Sequence, residues 1–155
     1  MLTRMVSWLK SKNMPVYEYL DEIWGVVGYH ATQQISIRVS EVSKIPVLLD
    51  SLRENTPTHF GMYPVTALED LAKPTNGLPA TNGLRFFCSA EGNDRAIRII
   101  MRPSGTEAKM KIYLEVARPA VSGEAEIMRQ RQIADSIISE LNSEVSEIPK
   151  KLLDN

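Results

Sequence analysis

Ala96 to Val116 reads AIRIIMRPSGTEAKMKIYLEV. Two alternating apolar runs, Ala96 to Met101 and Met110 to Val116, flank a segment of Pro, Ser, Gly and Thr, the pattern of two strands closed into a hairpin by a loop. Successive strand side chains point to opposite faces. Met110, Ile112, Leu114 and Val116 therefore share one face, and Lys109, Lys111, Tyr113 and Glu115 share the other, beside the loop.

The loop, Arg102-Pro103-Ser104-Gly105-Thr106-Glu107, carries the chemistry. A phosphate dianion needs positive charge and several converging donors, and Arg102, the Ser104 and Thr106 hydroxyls and the amides around Gly105 supply that set. Pro103 restricts Arg102, while Gly105 permits positive φ and close approach of the backbone, so that consecutive amides can form an anion-binding nest. Lys111 can add charge to the same site. A hydrogen bond to a charged group contributes about 1.5 to 3 kcal/mol, and millimolar to micromolar affinity needs only about 4 to 8 kcal/mol net. A few well-aimed donors suffice. The same composition also makes ordinary turns; the basic strand face beside the loop favours the phosphate reading.

Arg102 to Glu115, RPSGTEAKMKIYLE, resembles the C-terminal phosphate-binding signature of the α-D-phosphohexomutases, the phosphoglucomutase and phosphomannomutase family. The likeness extends to the preceding strand, to Gln34 through Leu52, and more loosely to the helical segment before Tyr29. It implies that Arg102, Ser104, Gly105 and Thr106 hold the substrate phosphate that is not reacting, with Lys111 at a basic position that is often arginine. Ala108 departs from a common proline, and lysine at 111 replaces a bidentate fork with a point charge. By the same resemblance the phosphoserine, the aspartates that hold Mg²⁺ and the sugar-reading loop belong to other domains. The chain contains no Asp-x-Asp-x-Asp run and no further serine in a phosphoserine-like setting. The expectation is a C-terminal portion of a longer cytoplasmic mutase, with no catalytic residue and no metal site of its own, whose partners are a phosphosugar and the remaining domains of the same polypeptide. A non-catalytic phospho-ligand binding module is the alternative.

At 155 residues, 43% hydrophobic and 24% charged, the chain has the composition of a soluble globular domain with one substantial core. A formal net charge of −1 argues against a general nucleic-acid or membrane-surface binder. No apolar run approaches the roughly 20 residues needed to span a bilayer, and the basic start lacks the apolar core and cleavage site of a signal peptide. The lone Cys88 lies in the apolar run Leu84 to Ser89 and is expected to be core. His30 and His59 have no second ligand at a metal-binding spacing.

Around the hairpin, Met5, Val6, Trp8 and Leu9, then Tyr17, Leu20, Ile23, Trp24 and Val27, recur at helical spacing on either side of Met14-Pro15. Residues 1–30 are thus expected to be two helices, by resemblance remnants of a preceding domain, exposing Trp8, Tyr17 and Trp24 or packing them where they can. Ile35, Ile37 and Val39 alternate as a half-covered strand. Ser43 is placed to cap a helix through about Glu54, buried on Ile45, Leu48, Leu49 and Leu52. Residues 60–67 read as one edge strand, broken by Gly61 and Pro64. Leu71 to Leu84 is a connector with two Thr-Asn-Gly-Leu copies at 75–78 and 81–84. Leu84 to Ser89 and Ala96 to Met101 are strands joined by a turn in which Glu91 and Asp94 read as solvated carboxylates rather than a metal pair. A last helix is expected over Glu124 to Asn142, and the tail, 146–155, is expected to fray. The fold class is α+β: a mainly antiparallel sheet of four to five strands with two helices on one face, in residues 31–145. By resemblance it is TATA-binding-protein-like, a likeness of topology that does not imply DNA binding.

Overall fold

The computed structural model describes residues 2–73, 77 and 79–153. In chain order these form α1 (Leu2–Ser11), α2 (Val16–Val27), β1 (His30–Arg38), α3 (Lys44–Glu54), β2 (His59–Phe60), β3 (Tyr63–Asp70), β4 (Leu84–Ala90), β5 (Asn93–Pro103), β6 (Lys109–Ala117) and α4 (Glu124–Leu153).

The strands make one antiparallel sheet of six strands in the order β1-β6-β5-β4-β3-β2. The expected count of four to five strands is corrected here. Gly61, at φ +58°, turns the chain within the anticipated single strand, so that Phe60 pairs back onto Tyr63 and a two-residue edge strand appears. Left-handed φ is a glycine conformation, which explains why the break falls there.

One sheet face is covered and the other is open. Met110, Ile112, Leu114 and Val116 of β6, Ile97, Ile99 and Met101 of β5, and Leu84, Phe86 and Cys88 of β4 are buried. They join Ile45, Leu48, Leu49 and Leu52 of α3 and Ala134, Ile137, Ile138, Leu141 and Val145 of α4 in one core. Two helices thus cover one face, as the alternation demanded. Each large side chain buried in this way contributes about 1.5 to 3 kcal/mol. Cys88 sits in that core, and burial pushes its thiol up to about 12.

Tyr63 ties the β3 edge to α4 by donating a 2.8 Å hydrogen bond to Glu140 Oε2. Burial, followed by that bond, raises its hydroxyl to about 12.

Two further expectations are corrected. Ser43 stands at the start of α3 but in helical backbone, and its hydroxyl donates to Glu41 Oε2 at 3.3 Å instead of capping the helix. The last helix does not stop at Asn142: α4 runs to Leu153, so the tail expected to fray from 146 is helical that far. The periodic stripe simply continues, with Val145 four residues after Leu141 and fully buried. Of the three aromatic side chains expected to be exposed or to pack where they can, Trp24 packs. Its ring meets Tyr29 edge-on at 5.0 Å and the Arg131 guanidinium lies 4.8 Å over it, docking α2 against α4. Trp8 and Tyr17 do remain exposed, at 48% and 65%. Gly28 closes α2 at φ +87°, where a Cβ would lie 2.2 Å from the Arg118 carbonyl oxygen, so only glycine lets the helix pair meet the sheet.

The first Thr-Asn-Gly-Leu copy, apart from Gly77, and the Asp94 side chain lie outside the described residues. None of the helices among the described residues is long and apolar enough to cross a membrane.

Candidate functional site

Strand register assembles the site. Arg102 on β5 is the cross-strand partner of Lys111 on β6, and Lys111 is in turn the partner of Ser36 on β1. One step toward the loop, Lys109 pairs with Arg38. All of these side chains alternate with buried or partly buried ones, so they stand on the open face.

At the mouth of the hairpin the Ser104 amide donates to the Lys109 carbonyl at 2.8 Å. That amide, expected to be free, is therefore used in closing the loop. Among the described residues, the Gly105 and Thr106 amides and the Ser104 and Thr106 hydroxyls take no partner within the chain. Gly105 and Thr106 are exposed, and Ser104 is half-buried. Gly105 does not adopt the positive φ that was anticipated, and a Cβ built on it would meet nothing within 4 Å. The fold itself does not require glycine at this position. Ala108 accepts the Val39 amide at 3.1 Å, which ties the loop exit to the end of β1.

The charge distribution is uneven. On the open face away from the loop, Arg85 pairs with Glu69 at 2.8 Å, and Arg98 pairs with Glu115, which also meets His30 Nδ1 at 2.9 Å. Beside the loop, Lys109 is neutralised by Glu107 at 2.9 Å. That contact, with Arg38 and Lys111 contributing, holds the Glu107 carboxyl below its ordinary value. Arg38, Arg102 and Lys111 have no carboxylate within salt-bridge distance among the described residues. Like charges placed directly across a ladder are destabilising by a few tenths to about 1 kcal/mol, so Arg102 opposite Lys111 is a local cost that the fold does not offset.

Tyr113 steadies the arginine. The Arg102 guanidinium donates to the Tyr113 hydroxyl at 3.3 Å and lies 5.6 Å from its ring centre. This bond, with the charges of Arg102 and Lys111, pulls the hydroxyl below its ordinary value. A shallow groove of about 340 Å³, lined by Thr32, Gln34, Arg98, Ile100, Tyr113 and Glu115, continues from there across the sheet. Arg102, Ser104, Gly105, Thr106 and Lys111 are thus all brought to one end of the open face. Arg38 was not anticipated; alternation put it on the polar side of β1, but only the pairing of β1 with β6 sets it beside Lys109.

A probable phosphomannomutase of Haemophilus influenzae is 34% identical over 111 residues, which cover 72% of this chain and 21% of that protein. A Staphylococcus haemolyticus phosphoglucomutase is 29% identical over 75% of this chain and 23% of its own length. This chain is related to the phosphohexomutases. The human phosphopentomutase also aligns, at 27% identity over 93% of this chain and 24% of its length. The chain spans only about a fifth to a quarter of these curated relatives. No family model matches it.

Proposed function

We propose that this chain is the C-terminal, substrate-phosphate-binding domain of a phosphohexomutase, a phosphomannomutase or phosphoglucomutase. In this reading residues 1–30 close the preceding domain and residues 31–145 hold the phosphate. The observation that carries it is the unpaired set of Arg38, Arg102 and Lys111 beside the partnerless Gly105 and Thr106 amides. A dianion is what such a set lacks: it offsets the facing charges of Arg102 and Lys111 and accepts from donors already held in place.

The enzyme exchanges phosphate between the 1- and 6-positions of a hexose through its own phosphoserine and a bisphosphate intermediate. One phosphate must be retained while the other reacts. A grip that contacts phosphate rather than sugar accepts the intermediate in both orientations, so the same loop serves both half-reactions. Gly105 keeps the approach open, Arg102 supplies the fork, and Lys111 and Arg38 supply charge. Tyr113 holds the guanidinium toward the open face, limiting the freedom lost on binding.

The phosphoserine and Mg²⁺ are assigned to other domains of the full-length enzyme. Among the described residues no three His, Cys, Asp or Glu side chains gather to hold a metal ion, so the residues here do not fit that ion. The isolated chain is expected to bind phosphate weakly and to turn nothing over.

In the full-length enzyme Arg102→Ala is expected to raise KM for the sugar phosphate by roughly 10- to 100-fold, the loss of one or two charge-assisted hydrogen bonds. Steady-state kinetics on both hexose phosphates provide the test, and an unchanged KM rejects the reading.

A further inference from the structure

Gly83 lies just before β4, beside the residue pair Met101 and Arg102. A Cβ on Gly83 would stand 3.0 Å from the Met101 carbonyl oxygen, 3.1 Å from Arg102 Cβ and 3.4 Å from Leu71 Cδ1. The first two neighbours belong to the backbone of β5 and to the atom that roots the arginine side chain, so neither is a flexible tip that can swing aside. Gly83 is not in a left-handed conformation, and its need for glycine is one of space alone.

The same residue is fastened from the other side. Arg53 of α3 forks onto Asp70, at 3.2 Å from each carboxylate oxygen, and also donates to Asn82 Oδ1 at 3.0 Å. The Leu71 amide donates to the Gly83 carbonyl at 3.0 Å, and the Thr81 amide to the Leu71 carbonyl at 2.9 Å. Arg53 thereby links the last residue of β3 to the residue that precedes Gly83, holding both ends of the connection together against β5.

We propose that Gly83, seated by the Arg53–Asp70–Asn82 clasp, is a positioning residue for the phosphate grip: its bare Cα is the surface against which the base of the Arg102 side chain is set. The proposal rests on the reading of Arg102 given above. Phosphate ligands tolerate displacement of a fixed donor by only about 0.5 Å before alignment suffers, and a contact at 3.1 Å leaves no room for a methyl group without moving that base. Gly83 touches no ligand itself and acts through Arg102.

The test is titration of the 155-residue chain with inorganic phosphate, followed by the amide signals of Gly105 and Thr106, with thermal unfolding measured in parallel. Gly83→Ala is expected to weaken phosphate binding about tenfold, the effect of misaligning one charged donor. In an Arg102→Ala background the same change is expected to cause no further loss, because the group through which it acts is gone. A merely structural glycine would lower the unfolding temperature in both backgrounds without this dependence on Arg102. Asn82→Ala is the second variant, used if Gly83→Ala does not fold; it releases the clasp without adding volume, and a severalfold loss of affinity is expected. Wild-type affinity in whichever of these variants folds, with Arg102→Ala still impaired, overturns the proposal and leaves the loop reading standing. A loss that persists undiminished without Arg102 also overturns it. Wild-type affinity in Arg102→Ala defeats both.

Discussion

Arg102 and Lys111 face each other directly across the β5–β6 ladder, and neither has a carboxylate partner among the described residues. Two cations at that spacing repel, whereas away from the loop the sheet matches its charges: Arg98 stands opposite Glu115 in the same hairpin, and Arg85 opposite Glu69 across β3 and β4. The other like-charged pair, Arg38 opposite Lys109, also lies beside the loop and is relieved by Glu107. A folding-driven sequence would place an acid at position 102 or 111. In the reading proposed above, the retained repulsion is compensated when an anion binds.

Lys111→Glu converts the repulsive pair into an attractive one. It is expected to raise the stability of the chain by a few tenths to about 1 kcal/mol and to abolish phosphate binding. Chemical denaturation and phosphate titration check both; a variant that is less stable than wild type contradicts the account of the pair.

Gly105→Ala separates fold from ligand. With nothing within 4 Å of the new methyl group and no positive φ at that residue, its stability is expected to stay within about 0.5 kcal/mol of wild type. In the proposed reading phosphate affinity is nevertheless expected to fall, because a methyl group on this exposed residue narrows the space for a ligand beside the Gly105 and Thr106 amides. Equal affinity in the two proteins would remove the reason for glycine at this position.

How much of this could be read before the structure depends on the range of the interactions. The β5–β6 hairpin and α3 follow from local alternation and helical period, and the open-face placement of Lys111 follows with them. The continuation of α4 is less legible: Asn142 and Ser143 have weak helix propensity, whereas Val145 keeps to the buried stripe and tertiary packing overrides that propensity. Arg38 and Gly83 were beyond reach for another reason. Their neighbours, Lys109 and Arg102, are distant in sequence, and only strand register brings them together. The loss of the Ser104 amide to the Lys109 carbonyl likewise depends on how the hairpin closes, which residue types alone do not determine.

Tyr113 reports on the arginine. Its hydroxyl is held below the ordinary value by the hydrogen bond from Arg102 and by the charges of Arg102 and Lys111. Arg102→Ala is expected to move it upward, and saturating phosphate to do the same in the wild type by neutralising the two cations. Ultraviolet or NMR titration of the tyrosines measures this, and a titration unaffected by either change contradicts the Arg102–Tyr113 geometry.

Tyr63 contributes to the loss of stability at alkaline pH. A folded-state value raised to about 12 from 10.0 means that the native protein favours the neutral phenol. Its stabilising contribution is fully present below pH 10 and is lost as pH rises through about 12. Tyr63→Phe, which also lacks the bond to Glu140 Oε2, is expected to be less stable at neutral pH by about 1 kcal/mol and to show a shallower decline between pH 10 and 12. Denaturation curves across that range decide the point; parallel curves for the two proteins contradict it.

The proposed grip on phosphate is most directly tested by adding inorganic phosphate to the isotope-labelled chain and following its amide spectrum, in the wild type and in Arg102→Ala. The expected result is saturable movement of the Gly105 and Thr106 signals at millimolar phosphate, reduced at least about tenfold in affinity by the substitution. Signals at 104–107 that stay still in the wild type, or that move identically without Arg102, would contradict it.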